Sequence, residues 1–278
     1  MSKIIMPEFS TKQDAHKWLF ENHDKIISQK KASTKEADNV FCNNLFIEKT
    51  ITEKAVSSTD EANSNFITRK CVINTTNYLD SHKDVHIPGI WKKSLKETKS
   101  FSLIKEHKFN FDNEITDDVK AFTELINWKE LGLKIDGQSE ALVFLANIPK
   151  TDQTGMYQRY LKNTVKNHSV GMQYVKIYFC MDNEDAEYAQ FKDNWDKYIS
   201  QVVNVKDAEE TGYFWAITEA KIIEGSAVLR GSNPITPTLN QKEEPNEITP
   251  NEPNEITQEK EFDLKKAINE TNFITKLN

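Results

Sequence analysis

The sequence predicts an α+β protein, a mixed and mostly antiparallel β-barrel or curled sheet flanked by helices. Runs rich in β-branched and aromatic residues, FITRKCVIN, ALVFLANI, MQYVKIYFC and YFWAITEAKIIEGSAVLRG, have the length and apolar content of strands. Irregular segments join most of them, without the regular strand–helix alternation of a parallel α/β sheet. Two helical stripes, at 12–30 and 183–203, stand outside the strand runs. No glycine-rich loop follows a strand and opens a helix, so nothing points to a nucleotide enzyme.

The first region, 1–65, opens with the helix expected over Lys12–Lys30. Ala15, Trp18, Leu19, His23, Ile26 and Ile27 recur on one stripe. Beyond it, 33–64 reads as loosely structured around a short FCNNLFI strand, and the region is expected to be an arm or scaffold contact. The second region, 66–239, carries the dense pattern. FITRKCVIN is a strand, and Ile90–Lys96 is a short helix with Trp91 and Leu95 inward. SFSLI is a short strand ending just before Lys105, Glu106 and His107. VKAFTELI suits a strand, although its period also allows a helix. A helix starts after Gly155, with Met156, Tyr157, Tyr160, Leu161 and Val165 on its apolar face.

The next strand is expected near Met172, with Val175, Ile177 and Phe179 on one face at a spacing of two. The 183–203 helix follows, its stripe running through Tyr188, Phe191, Trp195, Tyr198, Ile199 and Val202, with Asp182 or Asn183 as cap. The third region, 240–278, is an acidic tail. It repeats PNEIT at 245–249 and 253–257, has no basic residue between Glu243 and Glu259, and is predicted to be disordered up to a short C-terminal helix.

The bulk numbers exclude several functions. A length of 278 residues suits one domain with appendages or two small ones, and 37% hydrophobic residues can supply a core. The net charge of -7 offers nucleic acid no general attraction, so no such partner is expected. Cys42, Cys71 and Cys180 are scattered and form no C-x-x-C pair, which argues against a zinc knuckle or a disulfide framework and for a reducing cytoplasm. The N-terminus lacks the apolar stretch of a signal peptide, and no run reaches the roughly 18 apolar residues of a membrane span. Neither a membrane nor a cofactor is expected.

Chemistry narrows to the histidines and their neighbours. His16 and His23 fall on the first helix and read as packing residues. Asp80, His82, Asp84 and His86 include metal-ligand types, but they occupy a loop with Pro88 and Gly89 and not a helix on which paired histidines converge. No metal is expected there. His107 ends an apolar strand, where an imidazole projects from a rigid element. Ser169 is placed at the junction between a helix and the strand near Met172, beside Gly171. A serine hydroxyl needs an adjacent base, and the resulting imidazolium needs a third group. Glu219, an acid inside an apolar strand, is one choice. Glu224 is its competitor, on the opposite face of a continuous strand. His168 neighbours Ser169 and so points the other way, which makes it structural.

Four segments in order strengthen this trio: NYLD at 77–80 with HIPGIWKKSL at 86–95, SLIKEH at 102–107, NHSVGM at 167–172, and TEAKIIEGSAVLRGSNP at 218–234. Together they resemble the prohead proteases of tailed bacteriophages, which share a fold with the herpesvirus assemblins. The resemblance covers about 66–239. It implies a serine endopeptidase with His107 as general base, Ser169 as nucleophile and Glu219 as acidic partner. Arg230 and the Gly171 backbone are candidate oxyanion donors.

The implied substrates are the major capsid protein, a scaffold protein or scaffold-like segment, and the protease itself. The implied setting is the prohead assembling in the cytoplasm of an infected bacterial host, with a homo-oligomer or dimer as the working form. One departure is Lys108, where many relatives carry an aspartate; Asp112 or Glu114 are possible substitutes. The competing reading is a non-enzymatic capsid assembly or scaffold protein that keeps the protease fold.

Overall fold

The computed structural model describes residues 4, 6–33 and 64–239. The FCNNLFI strand, Cys42 and the tail with its repeats and C-terminal helix lie outside the described residues. In chain order the elements are α1 (Lys12–Ala32), β1 (Phe66–Thr75), β2 (Asp84–His86), α2 (Lys92–Glu97), β3 (Leu103–Lys105), β4 (Glu114–Thr116), β5 (Val119–Asn127), β6 (Gln138–Pro149) and α3 (Met156–Leu161). There follow β7 (Asn167–Met181), α4 (Ala189–Tyr198), α5 (Val205–Thr211), β8 (Tyr213–Val228) and β9 (Thr238–Leu239).

The strands form two sheets. One runs β5-β6-β1-β9 and is antiparallel throughout. The other is built on the long β8, which pairs antiparallel with β7 and parallel with the short strands β2 and β3, while β4 adds to β3. The mixed α+β class is therefore realised, mostly antiparallel as expected. Neither sheet closes on itself among the described residues, so the barrel alternative is not. VKAFTELI is strand β5, because nine consecutive positions pair with β6 and satisfy backbone groups along its length.

A continuous core brings together Ile73, Leu142 and Phe144 from the first sheet and Val170, Met172 and Ile217 from the second. Gly225 lets β8 pack closely against the first sheet. A Cβ there would come within 2.6 Å of the buried Phe144 ring and 3.1 Å of Ile73. Strand alternation then sends Glu224 and Ser226 to the opposite side of β8 from Gly225's core-facing side.

Helix α1 starts at Thr11, whose hydroxyl accepts the Asp14 N–H, and ends with Lys30 and Lys31 in its last turn. Leu19 is buried in the core, and the Phe20 ring meets Tyr188 and Phe191 edge-on. Lys30 reaches the buried carboxylate of Asp84, which also accepts from Tyr174 Oη at 2.8 Å.

Two local expectations need correction. The helix predicted over 183–203 is α only from Ala189 to Tyr198, with single 3-10 turns at Ala186–Tyr188 and Ile199–Gln201. No side chain caps its start, so Asp182 and Asn183 do not play that part. The apolar stripe nevertheless buries as expected at Tyr188, Phe191, Trp195, Tyr198 and Val202. In β7, Ile177 and Phe179 are buried, but Val175 is 41% exposed. The register with β8 shifts between Tyr174 and Lys176, and a one-residue irregularity reverses the face.

Candidate functional site

His107 stands immediately beyond β3, in a turn closed by the Lys108 N–H donating to the Lys105 carbonyl at 3.1 Å. Both central residues, Glu106 and His107, have positive φ, 53° and 55°. That sign pattern belongs to a type I′ turn, which favours glycine or asparagine. Neither residue here is either, so the turn holds backbone strain of a kind found at functional sites. Parallel pairing of Lys105 with Ala227 carries the turn over β8. The Glu106 N–H donates to the Ala227 carbonyl and the His107 N–H to Ser226 Oγ, each at 3.0 Å.

The acid that meets this ring is Glu224. His107 Nδ1 lies 2.6 Å from Glu224 Oε1, with both side chains about 95% buried. A carboxylate only accepts, so Nδ1 carries a proton, and in the neutral ring the lone pair is on Nε2. The expectation for Glu219 is corrected on this point. Its carboxylate pairs with Lys176 Nζ at 2.7 Å and Lys93 Nζ at 3.3 Å, and these two lysines hold it below the usual carboxylate range. On a continuous strand Glu219 and Glu224 would face opposite ways, but register shifts between β7 and β8 fall between the two glutamates. Glu114 is also elsewhere, accepting from Ser102 Oγ, and Lys108 pairs with Glu106 in solvent.

Ser169 sits inside a strand. β7 begins at Asn167, so the junction expected near Met172 is displaced five residues toward the N-terminus. Ser169 pairs directly with Ser226, and Gly171 with Glu224. Residues opposed across antiparallel strands share a face, with Cβ atoms about 4.5–5.5 Å apart. The glycine at 171 is required by this arrangement, since a Cβ there would lie 2.0 Å from Glu224 Oε1. Ser169, Glu224 and the imidazole thus occupy one side of the β7–β8 pair. His107 Nε2 is buried and has no hydrogen-bond partner among the described residues, the Ser169 hydroxyl included. Buried polar atoms are nearly always satisfied, so an orphaned imidazole nitrogen on the side of the sheet that carries Ser169 calls for a functional explanation.

The loop after β8 adds to this side. A Cβ on Gly231 would be 3.5 Å from Ser169 Cβ and 3.2 Å from the His168 carbonyl, which places Gly231 against the serine and Arg230 next to it in an exposed position. Ser169 also borders a small cleft whose lining includes His82, His86, Ser232 and Asn233.

His168 is structural, as its position suggests. Nδ1 donates to the Thr236 carbonyl at 3.1 Å, and Nε2 accepts from Tyr160 Oη at 3.0 Å. Burial lowers its pKa from 6.5 to about 4, against a smaller raising effect of the Thr236 bond. The unfolded chain takes up a proton below pH 6.5 that the folded protein refuses down to about 4, so this group's contribution to stability is complete above pH 6.5 and is lost as the pH falls to about 4. The loss amounts to roughly 3 kcal/mol at the acid end. Thermal melts between pH 7.5 and 4.5 should show a shallower acid decline for His168→Gln than for the parent protein.

Asp80, His82 and Asp84 present ligand-type atoms within 4.8 Å of one another. Their groups already serve the fold. Asp80 Oδ1 accepts the His82 and Asp84 N–H groups, and Asp84 holds Lys30 and Tyr174. His86 is outside that group, between Asn74 and Tyr174. Among the described residues no helix is long and apolar enough to cross a membrane. No protein-family model matches this chain, and comparison with curated proteins and with solved structures finds no match.

Proposed function

We propose that this chain is a serine endopeptidase of the prohead protease type, acting on the major capsid protein, a scaffold protein or segment, and itself during capsid assembly in an infected bacterium. The observation that carries the reading is His107, bound through Nδ1 to a buried carboxylate, with its other nitrogen unpartnered on the side of the sheet that bears Ser169. The acid in this proposal is Glu224, in place of Glu219.

His107 Nε2 accepts the Ser169 proton as the serine oxygen attacks the scissile carbonyl. Glu224 holds the ring in the required tautomer and stabilises the imidazolium. The proton then passes from Nε2 to the leaving amine, and the acyl-enzyme is hydrolysed by a water that His107 activates in turn. The serine–imidazole bond closes when substrate binds, since such bonds are often long in the free enzyme. The segment around Arg230 and Gly231, which borders Ser169, supplies donors for the oxyanion in this reading.

The test is co-expression with the capsid and scaffold proteins of the same virus, followed by mass spectrometry of every fragment. Wild type should trim them, and Ser169→Ala should leave them intact. A fluorophosphonate should label wild type at Ser169. Trimming by the alanine variant would remove the mechanism. Intact substrates and no labelling within assembled particles would favour the non-enzymatic assembly protein.

A further inference from the structure

Ser226 interrupts the apolar end of β8 and is fully buried. Its hydroxyl is used in both directions. As acceptor it takes the His107 N–H at 3.0 Å, and as donor it reaches Glu224 Oε2 at 2.9 Å. The directions are fixed, because a backbone N–H can only donate and an ionised carboxylate can only accept. Glu224 is therefore held at two points, Oε1 by the His107 ring and Oε2 by Ser226. Strand alternation brings residues 224 and 226 to one face, and Ile104 of β3 pairs with Ser226, so the same hydroxyl reaches the turn that follows β3.

That turn carries positive φ at two non-glycine residues, a backbone state that persists only where surrounding contacts hold it. The hydroxyl of Ser226 is one such contact, alongside the Glu106 N–H bond to the Ala227 carbonyl. A carboxylate bonded only at Oε1 keeps freedom to rotate. One held at both oxygens presents a fixed lone pair to Nδ1.

We propose that Ser226 is a positioning residue, which clamps Glu224 and the backbone of His107 together so that the imidazole is held in one tautomer and one orientation. It touches no reacting atom. The proposal rests on the peptidase reading for its kinetic consequence, but the clamp itself is open to a test that requires no hydrolysis.

Three variants, Ser226→Ala, Glu224→Gln and their double, decide it. The readouts are the fluorophosphonate labelling rate at Ser169, thermal melting, and the downfield proton resonance of His107 Nδ1–H. Ser226→Ala should remain folded, slow labelling roughly tenfold, and broaden or shift the Nδ1–H resonance through faster exchange with water. In the Glu224→Gln background the same substitution should slow labelling little further, because the residue acts through the glutamate. An equal slowing in both backgrounds would mean a general structural effect and would overturn the proposal, as would an unchanged resonance in the single variant. If wild type is never labelled but the resonance still responds to Ser226→Ala, the clamp stands and the peptidase reading fails. Should Ser226→Ala not fold, Ser226→Thr, which keeps the hydroxyl, must retain the wild-type resonance.

Discussion

Replacement of His107 by alanine is expected to lower the rate of substrate trimming by about 10⁴-fold, within the upper range for loss of a general base. The serine hydroxyl is not nucleophilic at neutral pH without an acceptor for its proton. The imidazole next to it in the chain, His168, offers none, since its two nitrogens are bonded to Tyr160 and Thr236. His107→Ala also relieves Glu224 Oε1 of its partner, so the side effect on stability must be followed by melting. Quantitative mass spectrometry of fragments during co-expression measures the effect. A His107→Ala protein that trims at the wild-type rate would end the assignment. His168→Gln, by contrast, should keep its activity at neutral pH.

The second large effect concerns the two glutamates. Glu224→Gln should reduce trimming by about 10²–10⁴-fold, while Glu219→Gln should stay within about twofold of wild type. The amide that replaces the Glu224 carboxylate can turn its N–H₂ toward His107 Nδ1. The ring would then take the tautomer with hydrogen on Nε2, which cannot accept the serine proton. Even in the other orientation the imidazolium loses its counter-charge. Glu219 offers no such route. Its partners Lys93 and Lys176 are both more than half exposed, and ion pairs of that kind contribute little. A reversed ranking of the two variants would restore Glu219 as the acid and require a rearranged strand.

Much of the fold was legible because its signals are local. The spacing of three and four in 12–30 reports α1, and the β-branched runs report β1, β6, β7 and β8. His107 was legible as the residue just past a short apolar strand, and the structure places it there. What failed did so at irregularities. Val175 lies beside a register shift that no period-two count can anticipate. The junction assigned to Ser169 came from the apolar start at Met172, while the polar residues Asn167 and His168 were already paired with Val228 and Ala227. The choice between Glu219 and Glu224 followed the resemblance, and an alternation argument across bulges could not correct it. One signal for Glu224 was present: Gly171 in the serine motif, whose missing side chain makes room for the carboxylate. Its cross-strand partner could be read only once the register was known.

Local pattern was therefore sufficient for the α+β class, for most elements, and for the shortlist of histidine, serine and acid, because backbone preference and apolar periodicity act over a few residues. Which acid meets the imidazole, and whether the serine shares its side of the sheet, depends on strand register between residues far apart in the chain. A shift of one residue reverses every side chain on a strand. Bulges in β7–β8, the parallel docking of β3 and the tight contact at Gly225 go with that register, and each involves segments far apart in the chain, so no single segment encodes it.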